Sequence, residues 1–240
     1  MVNIDTVYQR VLSIANKEQR GYITPQEFNI FANQAQMDIF EQYFYDLNQF
    51  KRIPGNDSIY ADMTDILEEK IAIFHDSIEV TRESYGFDLP SNYYRLMQAR
   101  ATHDEQTHVE VEKMTHRELL VAQNSPLTKA TLERPAYYLK GNRLQVLPKE
   151  VVTLHINYIK APKKVNWTYV VVGEKALVNN SLSAGYRDFE LHPSEETKLV
   201  IKILGLAGIT LKDPALYQIA GAEDNKNIQH EKQSINGIIR

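Results

Sequence analysis

One long segment of the chain is apolar on two sides, and this constrains the fold more than any other feature of the 240 residues. Thr24, Pro25 and Glu27 predict a helix start, because threonine can cap, proline suits the first turn and glutamate completes a capping box. The predicted helix runs to about Phe50, and its two apolar stripes need two sets of neighbours. We predict that its own domain supplies one set and a second copy of the chain the other. The candidate residues for contact with that second copy are Phe40 and Phe44.

Further helices are predicted near both ends of the chain. Apolar residues at helical spacing mark residues 4–18 and a segment that begins near Asp62 or Thr64 and fades by Gly86. A last helix is predicted after Pro193, where proline and two following acids favour initiation, and it ends near Gly208.

The middle of the chain has a different period. From Asp88 the apolar residues alternate, which indicates strands. The clearest signal is a hairpin with a two-residue turn at Gly141-Asn142, and residues 151–160 form another alternating strand. Residues 167–172 are predicted to be a further strand. We expect five or six short strands in all.

These patterns predict an α+β fold. We expect a helical bundle of three N-terminal helices and one C-terminal helix, with a small antiparallel β-sandwich or barrel inserted between them. The predicted boundaries are residues 1–86 with 188–221 for the helical domain, 87–187 for the β-domain and 222–240 for an extended C-terminal arm.

The predicted arm is polar and balanced in charge, with three acidic and three basic side chains. Such a segment buries too little surface to order itself. It either packs back on its own domain or is captured by a neighbouring subunit or another partner, and we favour capture. The apolar residues that would make this contact are Ile228, Ile235, Ile238 and Ile239.

Composition excludes several classes of protein. The formal net charge of −4 argues against a dedicated nucleic-acid binder. The chain has no cysteine, so disulfides and cysteine-based metal sites are excluded. No apolar run reaches the roughly 18 residues of a membrane span, and the N-terminus does not resemble a signal peptide. We expect a soluble protein without a membrane partner, made in a cytoplasm.

The search for catalytic motifs gives one weak candidate. Phosphate-binding glycine loops, a serine nucleophile elbow and the helical zinc pair are absent from the sequence. The segment from His103 to His108 contains two histidines and two acids, and His116 follows downstream, but their spacing matches no standard metal geometry. We therefore predict no enzyme activity, no cofactor and no metal, with a metal-dependent accessory enzyme using these histidines as the alternative. A monomeric binding module is the other alternative.

Four segments resemble virion structural proteins of tailed bacteriophages, prominent in crAss-like and other short-tailed phages: residues 7–50, 87–96 (FDLPSNYYRL), 125–148 and 188–218. They look like the head-to-tail connector, or adaptor, ring component beneath the portal, and more loosely like the tail tubular protein A group. The resemblance implies a non-catalytic homo-oligomeric ring of about twelve copies at the head–tail junction of the virion. It implies the portal protein and the next tail ring protein as partners. Double-stranded DNA would pass through the channel without specific binding.

Overall fold

The computed structural model describes residues 1–17, 23–50, 58–84, 86–104, 107–173, 175–181 and 185–210, together with 222, 223 and 226. The helices in these ranges are α1 (Ile4–Lys17), α2 (Pro25–Phe50), α3 (Ser58–Ala72), α4 (His116–Gln123) and α5 (Glu196–Thr210), which a 3₁₀ turn (Pro193–Glu195) precedes. The strands are β1 (His75–Thr81), β2 (Phe87–Asp88), β3 (Tyr93–Asp104), β4 (Thr107–Glu110), β5 (Glu112–Lys113), β6 (Ala136–Lys140), β7 (Arg143–Leu147), β8 (Thr153–Lys160), β9 (Tyr169–Val172) and β10 (Lys175–Val178).

The chain divides into two compact units. One contains residues 1–73 and 162–240, and the other contains residues 74–161. In the described ranges, α1, α2, α3 and α5 belong to the first unit together with the β9–β10 hairpin, and β1 to β8 with α4 belong to the second. In the described part of the chain, none of the helices combines the length and the apolar character needed to span a membrane.

The predicted helical bundle with one inserted sandwich or barrel is wrong. The described residues form a mixed α+β fold with five helices and ten strands divided among three sheets, and one of these sheets lies in the same unit as α1, α2, α3 and α5. The prediction failed because it considered only the apolar stripes of α2. Polar side chains of the same helix, Asn29, Asn33 and Gln36, hold an extended segment against it, where a bundle would place another helix.

Two four-stranded sheets share the core of the 74–161 unit. Their strand orders are β1-β8-β3-β4 and β2-β7-β6-β5. β8 shows how alternation builds this core: Leu154, Ile156 and Tyr158 are buried, while His155 and Asn157 between them face outward. Residues from both sheets, including Phe87 and Leu144 of the second, form one apolar cluster with them.

Arg82 joins the loops at one end of this unit. Its guanidinium donates hydrogen bonds to three backbone oxygens, those of Val151 (2.7 Å), Val146 (2.8 Å) and Pro148 (3.2 Å). It also lies 4.9 Å from the centre of the Phe87 ring, within range of a cation–π contact. Burial lowers the pKa of Arg82 below its ordinary value. This side chain therefore satisfies carbonyl groups that the sheets leave unpaired.

Capping boxes start two of the helices. The Thr24 amide donates to Glu27 Oε2 at 2.9 Å and the Glu27 amide donates to Thr24 Oγ1 at 3.3 Å, as predicted at the start of α2. Thr115 and Glu118 make the same reciprocal pair at the start of α4, which the sequence reasoning missed. These hydrogen bonds lower the pKa of both glutamates.

Candidate interaction surface

The two helix residues predicted to contact a second copy, Phe40 and Phe44, differ in how much of the side chain is exposed. Phe40 is fully buried within the chain, and Phe44 is partly buried, with the two rings edge to face at 5.0 Å. In this pair only Phe44 retains exposed surface, and its role in an intersubunit contact stays a prediction. The four isoleucines of the predicted arm, Ile228, Ile235, Ile238 and Ile239, lie outside the described residues.

The candidate metal-binding histidines have separate neighbours. The His108 ring packs edge to face on His155 of β8 at 5.4 Å, and the His116 ring packs on Tyr138 of β6 at 4.7 Å. The side chain of His103 lies outside what the structure describes. Among the described residues, no group of three metal-binding side chains is arranged to hold an ion.

His108 and His155 instead line an open polar cleft on the outer face of the β1-β8-β3-β4 sheet. Glu79 and Arg100 also line it, and the Glu79 carboxylate lies 3.9 Å from His155 Nε2. The Glu79 carboxylate and the Arg100 guanidinium carry opposite charges, which offset one another on this face. This face has the character of a solvated sheet surface.

The β9–β10 hairpin exposes more large apolar side chains than is usual for a protein surface in water. Its register places Tyr169 opposite Val178, Val170 opposite Leu177 and Val171 opposite Ala176. Directly opposed residues share a face, so Tyr169, Val171, Ala176 and Val178 form one face and Val170, Val172 and Leu177 the other. Apart from Lys175, which begins β10 opposite Val172, both faces carry apolar residues. The exposed fractions of the large apolar side chains run from 38% at Tyr169 to 63% at Val171.

The turn of this hairpin depends on glycine. β9 and β10 are joined by two residues, and the first, Gly173, has a φ of +54°. Only glycine adopts that region at little cost. The hairpin is thus specified locally by its turn, although in water a two-stranded ribbon alone is at best marginally stable.

The hairpin is anchored at its base by aromatic packing. The Tyr169 ring stacks on the Trp167 ring at 5.6 Å, and the Trp167 ring lies 4.0 Å from that of Tyr8 on α1. The Trp167 indole N–H donates to Asp5 Oδ1 at 2.9 Å, and the tryptophan is buried. Thr168 and Asn179 close the base with a backbone hydrogen bond of 2.8 Å.

A row of amide side chains on α2 binds the extended segment of residues 163–167, which leads into the hairpin. Asn29, Asn33 and Gln36 are spaced four and three residues apart, so they lie on one face of the helix. Asn29 accepts from the Trp167 amide (2.8 Å) and donates to the Trp167 carbonyl oxygen (3.1 Å). Asn33 makes the same pair with Val165, at 2.9 and 3.0 Å.

Gln36 continues this row, which we call the amide ladder (Asn29, Asn33 and Gln36). It donates to the Lys163 carbonyl oxygen at 2.9 Å and accepts from the Glu190 amide at 3.1 Å. Each side chain thus provides a donor and an acceptor, as a neighbouring β-strand would. The ladder binds Lys163, Val165 and Trp167, which are alternate residues of the extended segment. It therefore determines the direction in which β9 extends away from α2.

Tyr186 and Asp188 hold the start of α1 in place within the unit of residues 1–73 and 162–240. Asp188 Oδ1 accepts from the Ile4 amide at 2.8 Å and from the Tyr186 hydroxyl at 3.1 Å. Burial, and then the negative charge of Asp188, raise the pKa of Tyr186 to about 12. The neutral phenol is therefore favoured in the folded protein.

This pKa predicts a stability change at high pH. Because the folded-state pKa lies above the ordinary value of 10, its contribution to stability is complete below pH 10 and is lost as pH rises from 10 to about 12. After allowance for partial solvent exposure, we expect up to about 1–2 kcal/mol from this group. Urea unfolding of the wild type and Tyr186→Phe at pH 8 and pH 11 measures it. Equal losses of stability in the two proteins between these pH values would contradict the assignment.

The 74–161 unit carries a second apolar surface, around α4. Leu120 and Val121 are more than half exposed, and Leu127, just beyond the helix, is 93% exposed. Leu119, which precedes them in the chain, is buried and packs against Ala130 and Ala136 of β6.

The hairpin was only half predicted from the sequence. Residues 167–172 were expected to be a strand, but a continuous apolar run is typical of a buried strand, and here it is exposed. The signal that could have found the hairpin is the pair of apolar runs that flank Gly173 at two-residue spacing.

Comparison of the chain with protein-family models and with curated proteins found no match.

Proposed function

We propose that the chain is a structural virion protein that assembles with further copies into a ring at the head–tail junction of a tailed bacteriophage and extends the DNA channel there. The observation that carries the proposal is the β9–β10 hairpin, which exposes apolar side chains on both faces. Exposed apolar surface of this extent is typical of sites that bind other proteins.

The chemistry of the hairpin favours a protein partner over a small-molecule ligand. Its strands offer β-branched and aromatic side chains on an exposed ribbon. The cleft lined by His108 and His155 and the cleft lined by Asn33 and Arg187 are formed by other residues. Small-molecule sites are concave and combine apolar walls with a few convergent polar groups. Ribbons of this kind are instead covered by another protein surface.

The resemblance of residues 7–50, 87–96, 125–148 and 188–218 to connector ring proteins supplies the setting for that partner. In such a setting the subunits are identical, and their contacts repeat around an axis. The α4 surface, with Leu127, offers a second apolar patch for the portal protein or the next tail ring.

An imaging experiment tests the proposal. The purified chain, alone and after incubation with a portal protein from the same phage, is examined by electron microscopy, and intact particles are examined for the same density. We expect a closed ring with rotational symmetry, alone or on the portal, located between head and tail. A chain that stays monomeric in both mixtures and is missing from the particles would overturn the proposal.

A pair of matched substitutions tests the hairpin within this proposal. Val170→Thr and Val172→Thr together keep the shape and strand preference of the side chains but remove apolar surface, so the monomer should change in stability by no more than about 0.5 kcal/mol. Assembly, measured by mass photometry or by incorporation into particles, should weaken by about tenfold or more. Val152→Thr, at a 61% exposed valine of the other unit, is the control and should assemble normally. Normal assembly of the double variant would show that the hairpin is not at an interface.

A further inference from the structure

We propose that the hairpins of neighbouring copies pair edge to edge, with β9 of one copy against β10 of the next, so that they form one continuous antiparallel sheet that closes on itself. The inference rests on the proposed function, because it requires identical copies around an axis. It adds the contact through which they associate, which is backbone pairing as well as apolar packing.

The hydrogen-bonding groups of the hairpin show which edges are free. The Asn179 amide donates to the Thr168 carbonyl oxygen at 2.8 Å, so these two residues form a bonded pair of the ladder. Bonded and non-bonded pairs alternate in antiparallel ladders, so the pairs Tyr169–Val178 and Val171–Ala176 are non-bonded. Their N–H and C=O groups point outward, and among the described residues they have no hydrogen-bond partner.

The two free edges are complementary to each other. Each presents two residues with outward donors and acceptors, and the strands run in opposite directions, so β9 of one copy and β10 of the next meet as an antiparallel pair. Residues 169–172 of β9 contain no charge and no proline, and the charge in β10 is confined to Lys175 at the turn end of the strand. Proteins normally protect exposed strand edges with such residues. Their absence from the residues with outward-pointing backbone groups indicates that both edges are covered in the assembled protein.

Pairing with a second copy satisfies both edges only when it is head to tail. A two-fold pairing of β10 with β10 would leave β9 of each copy exposed, whereas a closed ring of β9-to-β10 contacts leaves no free edge. The exposed side chains of one hairpin present several hundred Å² of apolar surface, and a stable interface buries roughly 800 Å² from each partner. A closed ring covers both edges of every hairpin, whereas a two-fold dimer covers one.

Disulfide trapping tests this arrangement, because the chain has no native cysteine. We propose the register that pairs Tyr169 of one copy with Val178 of the next. Val170 of one copy then lies opposite Leu177 of the next in a non-bonded pair, where the Cβ atoms are close enough for a disulfide. Val170→Cys and Leu177→Cys are made as separate proteins and mixed. They are then oxidised under conditions that give assembly, alone or on the portal protein. Thermal melts of each variant, reduced, show whether it folds.

We expect the mixed disulfide to exceed by about tenfold the product from a control mixture of Val152→Cys with Leu177→Cys, because neighbours in the assembly are held at high effective concentration. A predominance of Val170–Val170 or Leu177–Leu177 disulfides would overturn the head-to-tail pairing in favour of a two-fold contact. Rings without any hairpin disulfide would overturn the inference and leave the ring proposal standing. If mixed disulfides form in a sample that never assembles into rings, the inference of edge pairing stands and the ring proposal is overturned.

Discussion

Replacing Asn29 and Asn33 together with alanine is expected to destabilise the 1–73/162–240 unit by about 4–8 kcal/mol, enough to unfold much of it under ordinary conditions. Each side chain satisfies both the N–H and the C=O of a buried residue, Trp167 or Val165. Alanine would leave these four backbone groups unpaired, at a cost of about 1–3 kcal/mol each, reduced where water can enter. Urea denaturation followed by circular dichroism, with the single variants alongside, measures the loss.

The control for this experiment lies on the same helix. Gln34 and Asn48 are amides on the exposed face of α2, and Gln34→Ala with Asn48→Ala should change the free energy of unfolding by less than about 0.5 kcal/mol. If the protein with Asn29→Ala and Asn33→Ala is as stable as this control, water replaces the side-chain amides without cost. The ladder would then be a consequence of the fold and not a determinant of it.

Lys70→Met is expected to cost about 3 kcal/mol, since it leaves a buried carboxylate without its cation. Lys70 Nζ lies 2.6 Å from Glu195 Oε1, with the two side chains only 19% and 5% exposed, and 5.8 Å from the centre of the Tyr43 ring. The pair joins α3 to the turn that starts α5. Because a buried ion pair is costly to desolvate, replacing both partners, as in Lys70→Met with Glu195→Leu, should recover most of the lost stability.

A second ion pair at the start of α5 provides the comparison. Arg10 and Glu196 lie 3.0 Å apart, but their side chains are 55% and 28% exposed. Arg10→Met should therefore cost less than about 1 kcal/mol. If Lys70→Met and Arg10→Met prove equally mild in thermal or urea unfolding, burial of the Lys70–Glu195 pair has no energetic consequence and the interpretation is wrong.

The parts of this fold that were predictable are those with local signals. Thr24 and Glu27 are three residues apart, and the capping box they form can be recognised without knowledge of the rest of the chain. The alternation of β8 and the hairpin turn at Gly141 are equally local. The helical bundle was predicted wrongly because a helix's partner is not a local property: Asn33 bonds to Val165, 132 residues away.

The candidate site was predictable only as a strand. Tyr169 to Val172 have the composition of a buried strand, and their exposure follows from which segments fail to cover them, which is a property of the whole fold. Phe40, chosen from an apolar stripe as a contact for another copy, is fully buried in its own chain. Hydrophobic periodicity identifies surface that must be covered, without identifying what covers it.

The amide ladder also determines which changes the segment before the hairpin can accept. Asn33 and Gln36 bind only the main chain of this segment, and Asn29 also donates to the Asn166 side chain. An exposed position such as Lys164 is therefore free to vary. Adding or deleting one residue between 162 and 168 is a different matter. It would move every second peptide group away from its amide at once, and turn the hairpin to face another direction. Through evolution or engineering, this stretch can change its composition while its length stays fixed.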